Sequence, residues 1–182
     1  MRIVTLGRGN VGGGLAERWR RAGHDVTELG HEGGDASGAD AMLLAVPWRT
    51  VADALAKVTG LGSTPVIDAT NVIGGDRPEG FASLAEYVKS LTGGPVAKSF
   101  SANFARLYDR LDGLDVRPGN VFAADEDARS VTEALIRDAG YGPVYAGDLT
   151  AARAVEDFLG ILFALAGARG PVFYRFGGPD DF

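Results

Sequence analysis

An α/β fold built on a parallel sheet with helices on both faces is predicted by three features of this sequence. The chain opens with a short β-type run, Arg2-Ile3-Val4-Thr5-Leu6, that leads through a glycine-rich turn into a segment of helical periodicity. Further strand-like runs alternate with helical stretches, which is the pattern of a parallel sheet with crossover helices. One of these runs, Ala41 to Val46, is apolar at every position, as expected of a strand covered on both sides.

Taken in order, Val11, Leu15, Trp19 and Ala22 recur at helical spacing with Glu17, Arg18, Arg20 and Arg21 between them, so the segment after the turn reads as an amphipathic helix that Gly23 ends. Asp25 to Leu29 is a second strand, Ala41 to Val46 a third and Pro65 to Ala69 a fourth, with helices near residues 49–58 and 81–91. A fifth strand lies at Pro95-Val96-Ala97-Lys98. Two more are expected at Asn120 to Ala124 and Pro143 to Ala146, on either side of a helix from Glu126 to Ala139, giving six or seven strands. The last long element starts at Thr150, read as its N-cap, and carries no charge from Phe158 to Ala168. A helix apolar on every side must be covered by its own domain or by a second subunit, and a homodimer through this helix is expected. One connection departs from the pattern. Gly30 to Asp40 is eleven residues with four glycines, where a helical crossover of about a dozen residues or more would ordinarily pass. A mobile loop is expected there instead. The fold class is then a Rossmann-type doubly wound sheet with a short C-terminal helical segment. It forms a single domain over 1–182, with the sheet-building part at 1–149 and the C-terminal helix and tail at 150–182.

Composition narrows the chemistry. The 182 residues carry 18 Lys and Arg against 24 Asp and Glu, a net charge of −6, which argues against nucleic acid as a partner. There is no cysteine and there are two histidines, so disulfides, thiolate catalysis and Cys-ligated metals are excluded and a His-built metal site is not expected. No apolar run reaches the roughly 18 residues needed to span a bilayer, and the start lacks a signal-peptide pattern. A cytoplasmic protein with small-molecule partners and no membrane association is expected. Nothing resembles a Ser-His-Asp set or a phosphate-binding loop ending in Gly-Lys-Ser/Thr, which leaves chemistry carried by a cofactor.

The turn Gly7-Arg8-Gly9-Asn10-Val11-Gly12 matches the spacing of the dinucleotide fingerprint. Glycine makes up 27 of 182 residues, so about 0.6 such matches would arise by accident along the chain, but only about 0.03 in the strand-led opening. Gly7 and Gly9 permit a tight turn and close approach of backbone to a pyrophosphate, and Gly12 lets the helix pack close to its strand. The helix N-terminus then favours the diphosphate. At the end of the second strand an acid would hold an NAD ribose and a cation an NADP phosphate. Here stands Gly30-His31-Glu32, with Arg8 and His31 offering positive charge and Glu28 and Glu32 opposing it. NADP is favoured, with NAD possible. Val46, Pro47 and Trp48 follow the third strand, Thr70 and Asn71 the fourth, and Lys98 ends the fifth. All lie at the sheet edge where a nicotinamide would be expected, though Pro47 and Trp48 could serve only as a strand end and a packing residue, and Lys98 could be a surface ion pair.

Several of these segments together resemble one known family. Gly7 to Ala16, Gly23-His24-Asp25, Ala45-Val46-Pro47-Trp48, Val96-Ala97-Lys98-Ser99-Phe100, the strand and helix over 120–139 and the closing Arg153-Ala154-Val155-Glu156 are similar to NADP oxidoreductases dependent on coenzyme F420, a deazaflavin. The resemblance implies a Rossmann domain with a small C-terminal helical cap, often dimeric. It also implies hydride transfer between NADPH and a deazaflavin stacked on the nicotinamide. By position it places Arg8, Asn10 and Val11 at the diphosphate and Pro47 and Trp48 by the nicotinamide. The chain departs from the family pattern at three points. The Ser-Arg-Arg clasp on the 2′-phosphate falls on Gly30-His31-Glu32, a threonine of the glycine loop is Arg8, and a histidine near the deazaflavin falls on Ser101. FMN or FAD are therefore alternative acceptors, and a non-catalytic redox sensor is the alternative function.

Overall fold

The computed structural model describes residues 1–178; the last four positions of the expected C-terminal tail lie outside the described residues. A seven-stranded sheet runs in the order β2-β1-β4-β6-β7-β8-β9. Its strands are β1 (Arg2–Leu6), β2 (Asp25–Leu29), β4 (Ala41–Leu44), β6 (Val66–Asp68), β7 (Val96–Lys98), β8 (Gly119–Ala124) and β9 (Gly142–Gly147). All neighbours pair parallel except β7 and β8. The reversal has a local cause. Between those two strands no crossover α-helix intervenes, only a 3₁₀ segment over Ala105–Gly113. The helices are α1 (Asn10–Arg21), α2 (Val51–Leu55), α3 (Leu84–Thr92), α4 (Glu126–Asp138) and α5 (Ala152–Arg169). None of the described helices is long and apolar enough to cross a membrane.

Two apolar layers sandwich the sheet. On one face Leu15 and Trp19 of α1 and Leu135 and Ile136 of α4 pack on Ile3, Leu43, Ile67 and Phe122. The buried indole of Trp19 donates to Leu135 O at 2.9 Å, so its polar edge is satisfied where its rings are dry. On the other face Val51, Ala54, Ala85, Val88 and Val155 cover Val4, Leu6, Met42, Leu44 and Val66. Helix α3 starts at a reciprocal cap, in which Ser83 Oγ accepts from Glu86 N and Glu86 Oε2 accepts from Ala82 N.

Three expectations are corrected. The Gly30 to Asp40 connection lacks a helix, as expected, but it is not a plain loop. Within it β3 (Gly34–Asp35) pairs in parallel with β5 (Val58–Thr59), Ala36 N donates to Thr59 O at 2.8 Å, and Asp35 Oδ1 accepts from the amide and hydroxyl of Ser37. Ala36 is buried, so even a methyl anchors the segment once backbone hydrogen bonds hold it. The helix expected near 49–58 is a 3₁₀ turn at Trp48–Thr50 followed by a short α2. Thr150 does not cap α5. It lies in a 3₁₀ turn whose own cap is Asp148, and Ala151 occupies the α5 N-cap position.

Candidate functional site

The order in which the strands are connected switches sides at β1, which pairs in parallel with β2 on one side and with β4 on the other. In an open α/β sheet a ligand crevice forms at such a point, outside the carboxyl ends of the strands. There the turn Gly7-Arg8-Gly9 delivers the N-terminus of α1. Gly7 has φ +114°, and a Cβ on it would stand 2.2 Å from Ala45 O; a Cβ on Gly12 would stand 1.9 Å from Gly7 O. Both glycines are required by the protein's own backbone. Gly9 is different. Its φ is −77°, which any residue adopts, and a Cβ on it would meet nothing within 4 Å. The space in front of Gly9 is therefore open, and neither φ nor packing calls for a glycine there.

That space opens into a cleft of about 620 Å³ lined by Gly7, Arg8, Gly9, His31, Val46 and Pro47 from the sequence reading, and by Gly30, Ala45, Thr50, Asp53, Ala54 and Lys57. Helix α1 has no side-chain cap and no acid in its first turn. The amides of Asn10, Val11 and Gly12 precede the first helical hydrogen bond, from Gly13 N to Gly9 O at 2.8 Å, and helix-start amides of this kind are free donors. Val11 is half-buried and packs against the core behind the turn. Asn10 lines a second groove, of about 490 Å³, on the other flank of α1.

At the β2 end of the cleft the charges are already paired with one another. Arg8 donates to Glu28 O through Nε and Nη2 at 3.2 and 3.0 Å and pairs with Glu32 Oε1 at 2.8 Å. The Glu32 carboxyl is held below its ordinary range, chiefly by hydrogen bonding to its own backbone amide and further by Arg8 and His31. His31 is 98% exposed, with Nδ1 3.4 Å from Glu32. Glu28 pairs with Arg20 at 2.7 Å.

At the other end the sequence reading placed Trp48, Thr70, Asn71 and Lys98, and the structure redistributes them. Trp48 is half-buried with the Arg49 guanidinium 4.3 Å from its ring centroid, and it does not line the cleft. Thr70 is buried and its hydroxyl donates to Asp68 Oδ1 at 2.6 Å. Lys98 is neither a surface ion pair nor free to touch a ligand. It is wholly buried, with Nζ 2.8 Å from Asp68 Oδ2, 2.5 Å from Thr70 O and 3.2 Å from Glu156 Oε1. Asn71 lines a smaller cavity of about 150 Å³ with Ser101, Asn103, Phe104, Leu159 and Phe163. Asp68 and Glu156 escaped the sequence reading. Their signal was an acid and a lysine ending neighbouring apolar strands, and Asp68 and Lys98 do pair in register.

By sequence the chain matches no family model and no curated protein. By structure it is similar to a provisionally assigned F420-dependent NADP reductase from Arthrobacter sp. FB24, at 19% identity over 98% of this chain and 99% of that one, TM-score 0.79. A hypothetical protein from Sinorhizobium meliloti is similar at 25% identity over 86% and 89% of the two chains, TM-score 0.66. So is an imine reductase from Aspergillus terreus in complex with NADPH4, at 13% identity over 92% of this chain and 63% of that one, TM-score 0.67. These likenesses establish the Rossmann-type fold.

Proposed function

We propose that the chain is an NAD(P)H-dependent oxidoreductase that passes hydride between NADPH and a flavin-like acceptor, a deazaflavin such as F420 or else FMN or FAD. The observation that carries this reading is Gly9: a glycine that neither backbone strain nor packing requires, facing an open cleft at an uncapped helix N-terminus. A diphosphate fits that space and that chemistry, because its oxygens take the free amides of Asn10 and Val11 and the positive end of the helix dipole. When bound, the reduced nicotinamide supplies the hydride. The protein's share is to bind, orient and exclude water. Gly7, Gly9, Asn10, Val11 and Gly12 hold the diphosphate, Arg8, His31 and Lys57 face the adenosine end, and Val46, Pro47 and Asn71 flank the path to the acceptor. The similar structures include a provisionally assigned F420-dependent NADP reductase and an imine reductase solved with NADPH4, which agrees with the reading.

The cavity at Asn71 holds about 150 Å³, a small space for a nicotinamide and a tricyclic ring together, and α5 leaves Ile161, Phe163 and Leu165 exposed at 59%, 47% and 40%. A homodimer through α5 explains both, since Phe163 and Leu159 wall the cavity from that helix. The same small volume favours, as a second reading, a nucleotide-binding redox sensor that transfers no hydride. Titration with NADPH followed by F420, FMN and FAD, read by the near-ultraviolet absorbance of the reduced nicotinamide, separates them. Oxidation with one acceptor supports the enzyme; binding without oxidation supports the sensor; no binding of NADPH or NADH defeats both.

A further inference from the structure

The Lys98 ammonium is a fully buried charge that hydride transfer does not consume. Its three acceptors come from three elements. Asp68 ends β6, Thr70 follows it, and Glu156 reaches in from α5 while also accepting from Leu84 N at 2.8 Å and Arg77 Nε at 3.1 Å. Stability is a weak reason for such an arrangement, because a well-packed apolar side chain often serves as well as a buried ion pair. An apolar side chain could not, however, hold the Thr70 carbonyl.

Holding that carbonyl sets the orientation of a peptide plane. The described chain has no cis peptides, and in a trans peptide the C=O and the following N–H point in opposite directions. With Thr70 O drawn inward to Lys98, Asn71 N–H points away from the buried charges. Among the described residues it meets no acceptor. Asn71 is further pinned by its side chain, whose Nδ2 donates to Ser101 O at 2.8 Å. Ser101 in turn is 5% exposed with a hydroxyl that has no hydrogen-bond partner. The chain reaches it through Phe100, whose φ of +60° is the one left-handed non-glycine conformation among the described residues. Strain of this kind collects at functional sites and persists where surrounding contacts impose it. Here Asn120 Oδ1 accepts from Ser99 Oγ at 2.9 Å and Phe100 N at 3.5 Å. The Ser101 hydroxyl is enclosed, which leaves the unspent Asn71 N–H as a donor at the wall of one small cavity. The oxygen of a carboxamide is its complement, since it accepts.

We infer that Lys98 is a positioning residue: its ammonium fixes the Thr70–Asn71 peptide so that Asn71 N–H donates to the carboxamide oxygen of the nicotinamide. This rests on the NADPH reading, and the test keeps the two apart by using 2′,5′-ADP, which carries the adenosine half of NADPH and no nicotinamide. In the nitrogen-15-labelled protein, NADPH should shift the Asn71 amide resonance and protect it from exchange, whereas 2′,5′-ADP should leave it unchanged. Lys98→Met should lose about tenfold in NADPH affinity, the worth of about one hydrogen bond, with 2′,5′-ADP affinity held within about twofold. Because the chain has no cysteine, Lys98→Cys can be aminoethylated at that one site and refolded, and restored NADPH affinity would show that the ammonium itself matters. NADPH binding without a response at Asn71 beyond that of 2′,5′-ADP overturns the inference, as does equal loss of both ligands in Lys98→Met. If Lys98→Met does not fold, the wild-type resonance decides. Binding of 2′,5′-ADP without NADPH sinks the carboxamide contact alone; binding of neither removes the NADPH reading and the inference with it.

Discussion

Replacing Gly9 with alanine separates binding from folding at one atom. The new Cβ meets no protein atom within 4 Å and sits on an ordinary φ, so the folded state has room for it. The structural cost is that of alanine for glycine at a helix N-cap, about 0.5–1 kcal/mol, which for a domain of this size lowers Tm by roughly 1–4 °C. Binding should suffer far more. A methyl group in front of the turn holds a diphosphate about 2 Å off the Asn10 and Val11 amides, beyond charge-assisted hydrogen-bond reach. Two such bonds at about 1.5 kcal/mol each make about 3 kcal/mol, or roughly a hundredfold in Kd. Gly12→Ala is the control, since its Cβ would stand 1.9 Å from Gly7 O and the variant should fail to fold. The assay is paired, with thermal melting for stability and reduced-nicotinamide fluorescence for NADPH binding. An unchanged Kd in a folded Gly9→Ala protein would refute the diphosphate site, and a Gly9→Ala protein that unfolds would show that the glycine is structural.

Arg8→Ala should weaken NADPH binding by roughly tenfold or more and leave NADH binding nearly unchanged, and Glu32→Gln should strengthen NADPH binding by removing the carboxylate that competes for Arg8; parallel titrations of both nucleotides check this, and equal effects on the two would contradict it. Ile161→Asp, placed on an exposed part of α5, should convert a dimer into a monomer in sedimentation runs, and a wild-type monomer at micromolar concentration would defeat the dimer. Burial pushes Tyr108 and Tyr141 above the ordinary tyrosine range and Tyr174 up to about 12. These groups ionise more readily unfolded than folded, so the stability they contribute is whole below about pH 10 and drains away as pH rises towards 12. Phenolate absorbance followed with circular dichroism should show their ionisation arriving together with unfolding, and ionisation well before unfolding would count against their burial.

Period and punctuation made most of the frame legible. The strand boundaries of β1 and β2 and the start of α4 are where alternation, glycine and charge put them, because each is decided within its own segment. What stayed hidden depends on pairing across the chain. The residues Gly34 and Asp35 carry no strand signal of their own, and they become a strand because Lys57 O and Thr59 O, more than twenty residues on, accept from Gly34 N and Ala36 N. The reversal of β8 was hidden likewise, since the run over Ala105–Gly113 has the apolar spacing of a helix but is wound as 3₁₀ rather than as a crossover α-helix. In the site, Gly7 and Gly9 read alike in the sequence, and Gly12 reads as the glycine that lets the helix pack on its strand. Only the backbone contacts reveal that Gly7 serves the fold and Gly9 leaves a space.

Lys98 shows the same ambiguity from the polar side. A lysine at the carboxyl end of a strand suggests a ligand contact by position, yet its ammonium is enclosed by Asp68, Thr70 and Glu156 before any ligand could reach it. Arg8 is the converse, an arginine engaged by Glu28 O and Glu32 but still exposed at the cleft. Burial decides which of the two can change partners. An exposed ion pair is screened by water and gives up its partner at little cost, so a phosphate with more charge and more acceptor oxygens can displace Glu32 from Arg8. A buried ammonium that lost a carboxylate would leave that charge uncompensated, at a cost of several kcal/mol. Arg8 is therefore fit to meet a ligand, and Lys98 to keep the ligand's surroundings in place.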